Sequence, residues 1–216
     1  MAHEKILILE APWSSDITDT RATREIYTSA ETLLSVHPEP IRIIQRPLLS
    51  NMYLKDIEQF VSLDCNKRGP NVVILSAHGS HSVNSVNGTK RHSRTLCAFD
   101  GDINISSQIQ TIRASLPRTI FILDSCGVGT SIQAFNRAAG ALGAFGFSET
   151  VDWIDSSVFI LALLLHFQSA GIFHLKRART NTGVTQPRTQ KVVQEMVSGV
   201  YSSLAKSLGV QYDFRP

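Results

Sequence analysis

The chain has 216 residues, 43% of them hydrophobic and 18% charged, and its 21 basic against 18 acidic side chains leave a formal net charge of only +3. That length predicts one domain over residues 1–216 with a full core, and so slight a charge excess argues against a nucleic-acid-binding surface. Three cysteines without a C-x-x-C pairing, Cys65, Cys97 and Cys126, argue against a disulfide framework and a thiolate zinc site.

Lys5-Ile6-Leu7-Ile8-Leu9 is a short apolar run closed by Pro12, and Ile26, Ala30, Leu33 and Leu34 then recur at helical spacing. Ile41 to Ile44 gives a second strand stopped by Pro47. Tyr53, Ile57, Phe60 and Val61 mark a second helix, and Gly69-Pro70 turns the chain into a third strand, Asn71 to Ala77. The order so far is β-α-β-α-β.

The residues after His78 turn polar, with Asn87-Gly88 placed as a hairpin turn in an excursion that ends near Phe99. Ile105, Ile109, Ile112 and Leu116 predict one helix ended by Pro117, and a fourth parallel strand runs from Thr119 to Leu123. A helix is expected from Thr130 or Ser131, a small-residue strand over 143–147, and a helix from Asp152 to Ser169. Its apolar run, Val158 to Leu165, is well short of the ~20 residues of a membrane span and reads as a buried core helix. Residues 176–190 read as a basic loop, and Val193, Met196, Val197, Val200, Tyr201, Leu204 and Leu208 stripe a final helix. Alternating strands and helices predict an α/β fold, a three-layer α-β-α sandwich whose central sheet is mostly parallel, with a β-hairpin excursion after the histidine strand.

The N-terminus has no charged-then-apolar leader. Together with the unpaired cysteines this gives the expectation of a cytoplasmic protein without a membrane anchor.

Two of the buried-strand signals end in reactive side chains, His78-Gly79 after one and Asp124-Ser125-Cys126-Gly127 after the other. In an open α/β sheet, reacting groups collect beyond the carboxyl ends of the strands, so the two endings can share one crevice. Cysteine attacks as the thiolate, which an imidazole or a nearby helix N-terminus favours. His78 is the expected proton shuttle, Cys126 the nucleophile, and the Gly79 and Cys126 amides the oxyanion donors of an acyl-transfer reaction. Gly127 and Gly129 permit a tight strand-to-helix turn.

His78-Gly79 and Asp124-Ser125-Cys126-Gly127, with the histidine 48 positions upstream of the cysteine (126 − 78), resemble the caspase-like cysteine peptidases of clan CD. The Asp-Ser-Cys order is closer to metacaspase and CHAT-type members than to caspases with Gln-Ala-Cys. Gly146 to Trp153 also resembles the segment after the catalytic cysteine in bacterial CHAT-like proteins. The resemblance spans residues 5 to 170. It implies a caspase-like sheet, a Cys-His dyad, no metal or organic cofactor, and a protein or peptide substrate. Gly127 stands where metacaspases commonly carry histidine, so their calcium control is not carried over.

Asp124 matches the aspartate that, in metacaspase-like relatives, helps a pocket accept arginine or lysine, which gives the expectation of a basic P1 residue. Asp16 and Asp152 are candidate second acids for substrate binding. Asp152, with Glu149 and Asp155, also stands where acids complement a helix dipole, and that role is favoured for it. A free peptidase needs restraint, so control by a regulatory protein partner, a ligand or cleavage is expected, and the resemblance implies a bacterial stress or antiviral effector. The basic loop with Lys176, Arg177, Arg179 and Arg188 is a candidate for self-cleavage.

Other readings start from the same residues. A non-catalytic caspase-like interaction module would leave the dyad unused, and a flavodoxin-like small-molecule-binding domain is a weaker third reading. His81, His92 and Cys97 lack regular ligand spacing, so metal binding is not expected. Gly127-Val128-Gly129-Thr130-Ser131 lacks the lysine of a phosphate-binding loop.

Overall fold

A computed structural model describes residues 3–12, 24–36, 40–63, 65–66, 70–86, 89–174 and 185–215. The chain opens with β1 (His3–Glu10), α1 (Arg24–Ser35), β2 (Ile41–Pro47), α2 (Tyr53–Ser62) and β3 (Asn71–Ser76). β4 (Gly79–Val86) and β5 (Thr89–Ala98) form the antiparallel hairpin, to which β6 (Gly101–Asn104) adds a third strand. Asn87-Gly88, the expected turn, lies outside the described residues. Then come α3 (Ile105–Gln108), β7 (Thr119–Asp124), α4 (Ile132–Ala139), β8 (Gly143–Phe147), α5 (Trp153–Ser169), α6 (Thr185–Ser198), α7 (Ser202–Ser207) and β9 (Val210–Phe214).

The main sheet has the order β2-β1-β3-β7-β8-β9, parallel except for antiparallel β9. β3 and β7 are buried at every position, as central parallel strands covered on both faces must be. Side-chain alternation divides the core. Ile6, Ile8, Val72, Ile74, Ile120 and Ile122 face one side, against Tyr27 and Leu34 of α1 and Phe159, Leu163 and Phe167 of α5. Leu7, Leu9, Val73, Leu75, Phe121 and Leu123 face the other, against Ile57 and Phe60 of α2 and Ile132 and Phe135 of α4. Each such buried side chain contributes roughly 1.5–3 kcal/mol, so the sheet is the stiff scaffold on which the strand ends are held.

Three expectations are corrected. The helix expected over 105–116 is one α turn followed by a 3₁₀ stretch over Ile109–Ser115, opened by Asn104, whose side chain accepts from the Ser107 amide. Residues 185–190, expected as loop, are the start of α6. Pro187 falls in its first turn, where a missing N–H costs nothing. The final striped helix is two helices, broken at Gly199-Val200, where a Cβ on residue 199 would lie 2.6 Å from the Glu195 carbonyl. Strand β9 was not expected; Phe214 fills the space that a side chain at Gly143 would occupy, 2.1 Å from its ideal Cβ. Among the described residues, no helix is long and apolar enough to cross a membrane, and the Val158–Leu165 run lies within α5 against the core.

Candidate active site

β3 and β7 are neighbours in register, Leu75 opposite Leu123 and Ser76 opposite Asp124. His78 and Cys126 each stand two residues beyond that last pair, so they leave the sheet at the same level on strands about 4.8 Å apart. His78 is exposed and Cys126 half-buried. The Ala77 amide donates to the Asp124 carbonyl at 3.2 Å, which carries the pairing one residue past the strand.

Gly79 closes the arrangement. A Cβ there would meet Ser125 Oγ at 2.1 Å, Val128 Cγ2 at 2.8 Å and the Thr95 carbonyl at 2.9 Å, so only glycine lets the histidine strand end press against the residues flanking Cys126. Gly79 lies opposite Leu96, and the Cys97 amide donates to the His78 carbonyl at 2.8 Å. That ladder phase makes Gly79 and Leu96 a non-hydrogen-bonded pair, so the Gly79 N–H points away from β5. β4 is the outer strand of its sheet, and this amide therefore faces outward from the hairpin.

The turn after β7 has the expected glycine chemistry. Gly127 has φ +66°, in the left-handed region, and its amide donates to the Glu149 carbonyl at 3.0 Å. Gly129 packs on the backbone of β8, where a Cβ would come within 2.4 Å of Gly146 and Phe147. The segment over 146–153 lies against this turn, and the Val151 amide points at Cys126 Sγ at 3.4 Å. α4 begins only at Ile132, so the helix start lies further from Cys126 than its sequence position suggested, and a non-helical turn intervenes.

The structure places the three candidate substrate-binding acids differently. Asp124 is fully buried, its Oδ2 accepting from Ser76 Oγ at 2.8 Å and Tyr27 OH at 3.3 Å. Burial raises its pKa to about 6, with hydrogen bonds from Ser156, Ser76 and Tyr27 opposing and the nearby Glu10 charge adding to the rise. Tyr27 is in turn pushed well above the ordinary phenol value, by burial first and then by the Asp124 charge. Asp152 is the N-cap of α5, its Oδ1 accepting from the Ile154 amide at 2.8 Å and the Asp155 amide at 3.3 Å, so the capping role is present. Asp16 lies outside the described residues.

Sequence reasoning missed Ser76, Tyr27 and Glu10. Glu10 is the register partner of Ser76 across β1 and β3, and it is the second acid at this strand end. A glutamate closing an apolar strand two residues before Pro12 was the available signal. For Tyr27, an aromatic on a helical stripe, there was none. Among the described residues no group of three or more histidine, cysteine or acidic side chains is arranged to hold a metal. His81 Nε2 and His92 Nδ1 lie 3.0 Å apart in stacked rings on the hairpin, and His81 is lowered by burial, then by Arg94 and His92.

No protein-family model and no curated protein matches the sequence. Solved structures do resemble the fold. A secreted C11 cysteine protease from Bacteroides thetaiotaomicron, determined with an irreversible peptide inhibitor, aligns at TM-score 0.52 and 11% identity over 93% of this chain and 59% of that one. This chain thus spans less than two thirds of that protease structure. The Drosophila initiator caspase Dronc aligns at TM-score 0.50 and 9% identity over 99% of this chain and 79% of that one. The six-stranded, mostly parallel sheet flanked by helices is a caspase-like fold.

Proposed function

We propose that the chain is a caspase-like cysteine endopeptidase in which Cys126 and His78 form the dyad. The observation that supports this reading is the matched position of the two residues in the chain, each two residues past the Ser76–Asp124 register pair, with Gly79 packed directly on Ser125 and Val128. The solved structures of the same fold include two cysteine proteases, which supports the same reaction class.

In this reaction the Cys126 thiolate attacks the scissile carbonyl carbon, and a C–S bond forms as the carbonyl π electrons move to oxygen. The Gly79 and Cys126 amides donate hydrogen bonds to that oxyanion. Collapse breaks the C–N bond while the His78 imidazolium protonates the departing amine, leaving a thioester. Water, deprotonated by His78, hydrolyses the thioester and restores the thiol.

A basic P1 side chain is the substrate feature we assign, with Asp124 and Glu10 as the acids that would receive it. Asp124 is fully buried and hydrogen-bonded to Tyr27 and Ser76, so a cationic side chain reaches it only when the packing around it opens. That requirement accords with control by a partner, a ligand or cleavage, and with an effector that is silent until triggered. The test is a pair of acyloxymethyl ketone probes, one with arginine and one with aspartate at P1. Labelling of the wild type by the arginine probe, absent in Cys126→Ala, is the expected result, and equal labelling by both probes would remove the basic-P1 assignment. No labelling by either would favour a non-catalytic module.

A further inference from the structure

Arg94, on β5, is 1% exposed, and among the described residues no carboxylate pairs with it. Its Nε donates to the Val128 carbonyl at 2.9 Å, and one Nη donates to the Thr130 and Ser131 carbonyls at 2.6 and 2.7 Å. The other Nη reaches Ser106 Oγ at 3.3 Å, and the guanidinium carbon sits 5.8 Å from the centre of the Phe135 ring. Burial draws its pKa down to about 10, which leaves it a cation at neutral pH.

Burying a cation without a counter-charge costs several kcal/mol. The gain that offsets this cost is specific: one planar fork holds three carbonyls of the non-helical turn between Cys126 and α4. The same arginine is fixed at its other end by β5, two residues from Leu96, which lies opposite Gly79. The two amides proposed as oxyanion donors belong to these two elements, Gly79 to the hairpin and Cys126 to the start of the turn. The Arg94 fork is a polar tie between them.

We infer that Arg94 is a positioning residue that sets the separation of the Gly79 and Cys126 amides and so the geometry of the oxyanion site. This rests on the cysteine-peptidase reading above. Arg94 does not touch the reacting atoms; it acts through the turn. Lysine keeps the charge but offers no planar fork and cannot hold three carbonyls at these angles.

The test compares wild type with Arg94→Lys by steady-state cleavage of an arginine-P1 peptide, affinity for the corresponding peptide aldehyde, and iodoacetamide alkylation of Cys126. An aldehyde forms a tetrahedral adduct that needs the oxyanion donors, whereas alkylation by displacement of iodide does not. With the donors misplaced, kcat should fall about 10- to 100-fold, KM should stay within about twofold, and aldehyde affinity should weaken by the same factor as kcat. Alkylation should stay within about twofold of wild type. Retention of kcat and aldehyde affinity, or an equal fall in alkylation, overturns the inference. Arg94→Met, which removes the fork together with the buried charge, should fold and show the same split, so a misfolded lysine variant does not end the test. A wild type that neither cleaves the peptide nor binds the aldehyde, while Cys126 alkylates, defeats the peptidase reading itself.

Discussion

Ser76 and Asp124 face each other across β3 and β7, joined by a 2.8 Å hydrogen bond from the serine hydroxyl to the aspartate Oδ2. Both are fully buried, and Tyr27, Ser156 and Glu10 make the surroundings of this last rung of the parallel ladder polar as well. The rung fixes the level at which the two strands leave the sheet, and with it the level of His78 and Cys126.

Removing Cys126 or His78 should suppress turnover while leaving the fold intact. For Cys126→Ala we expect no cleavage above background, and for His78→Ala a fall in kcat of about 10²–10⁴-fold, the contribution of a positioned general acid-base. Peptide cleavage measured beside circular dichroism checks both. A His78→Ala enzyme with wild-type kcat would transfer the proton role elsewhere.

Asp124 makes stability depend on pH in an unusual direction. Its folded pKa of about 6 lies above the ordinary aspartate value, so between roughly pH 4 and 6 the native state holds a proton that the unfolded state has lost. Its contribution is therefore fullest at low pH and falls as pH rises through that window, by about 2–3 kcal/mol in all. Asp124→Asn should flatten that slope and raise stability at pH 7, yet cost turnover of basic-P1 peptides. Urea unfolding at several pH values, with cleavage assays alongside, tests the pair of outcomes.

Gly79→Ala should destabilise by about 1–3 kcal/mol, since its methyl group meets backbone and side-chain atoms together and the strand end must move. Activity should fall further than stability alone explains, because the moving residue carries a proposed oxyanion donor. Ser125→Ala is the matched control. Its hydroxyl is buried without a hydrogen-bond partner among the described residues, so its loss should be neutral or stabilising, with activity within about threefold. Thermal unfolding and kcat of the two variants separate the cases.

Asp152→Ala should cost about 1 kcal/mol through the lost cap of α5. If capping is its whole role, KM for a basic-P1 peptide stays unchanged. A rise in KM of more than about fivefold would return Asp152 to the substrate-binding group.

The parallel strands and the meeting of their ends were legible because each signal is local. Apolar runs closed by Pro12 or Pro47, or opened just after Gly69-Pro70 or Pro117, mark the strands, and the glycines around Cys126 mark the turn. The break at Gly199-Val200 was hidden because the stripe from Val193 to Leu208 keeps a helical period across it. β9 was hidden because Val210–Phe214 is short and mostly half-buried, without the unbroken burial of β3 or β7. Tyr27 and Arg94 act through partners 97 and 34 positions away, and nothing in their own neighbourhoods announces those contacts. The enclosure of Asp124 belongs to the same class, since a helix from the opening unit creates it.

The guanidinium that grips the turn beyond Cys126 also offers a way to recognise distant kin. Overall identity near 10% leaves alignments little to hold, whereas in this chain an arginine on the second arm of the hairpin and the glycine-rich bend after the next core strand are tied by direct hydrogen bonds and can be searched for together. Genomes searched for that coupled spacing, rather than for either dipeptide alone, should yield chains whose bends are built the same way.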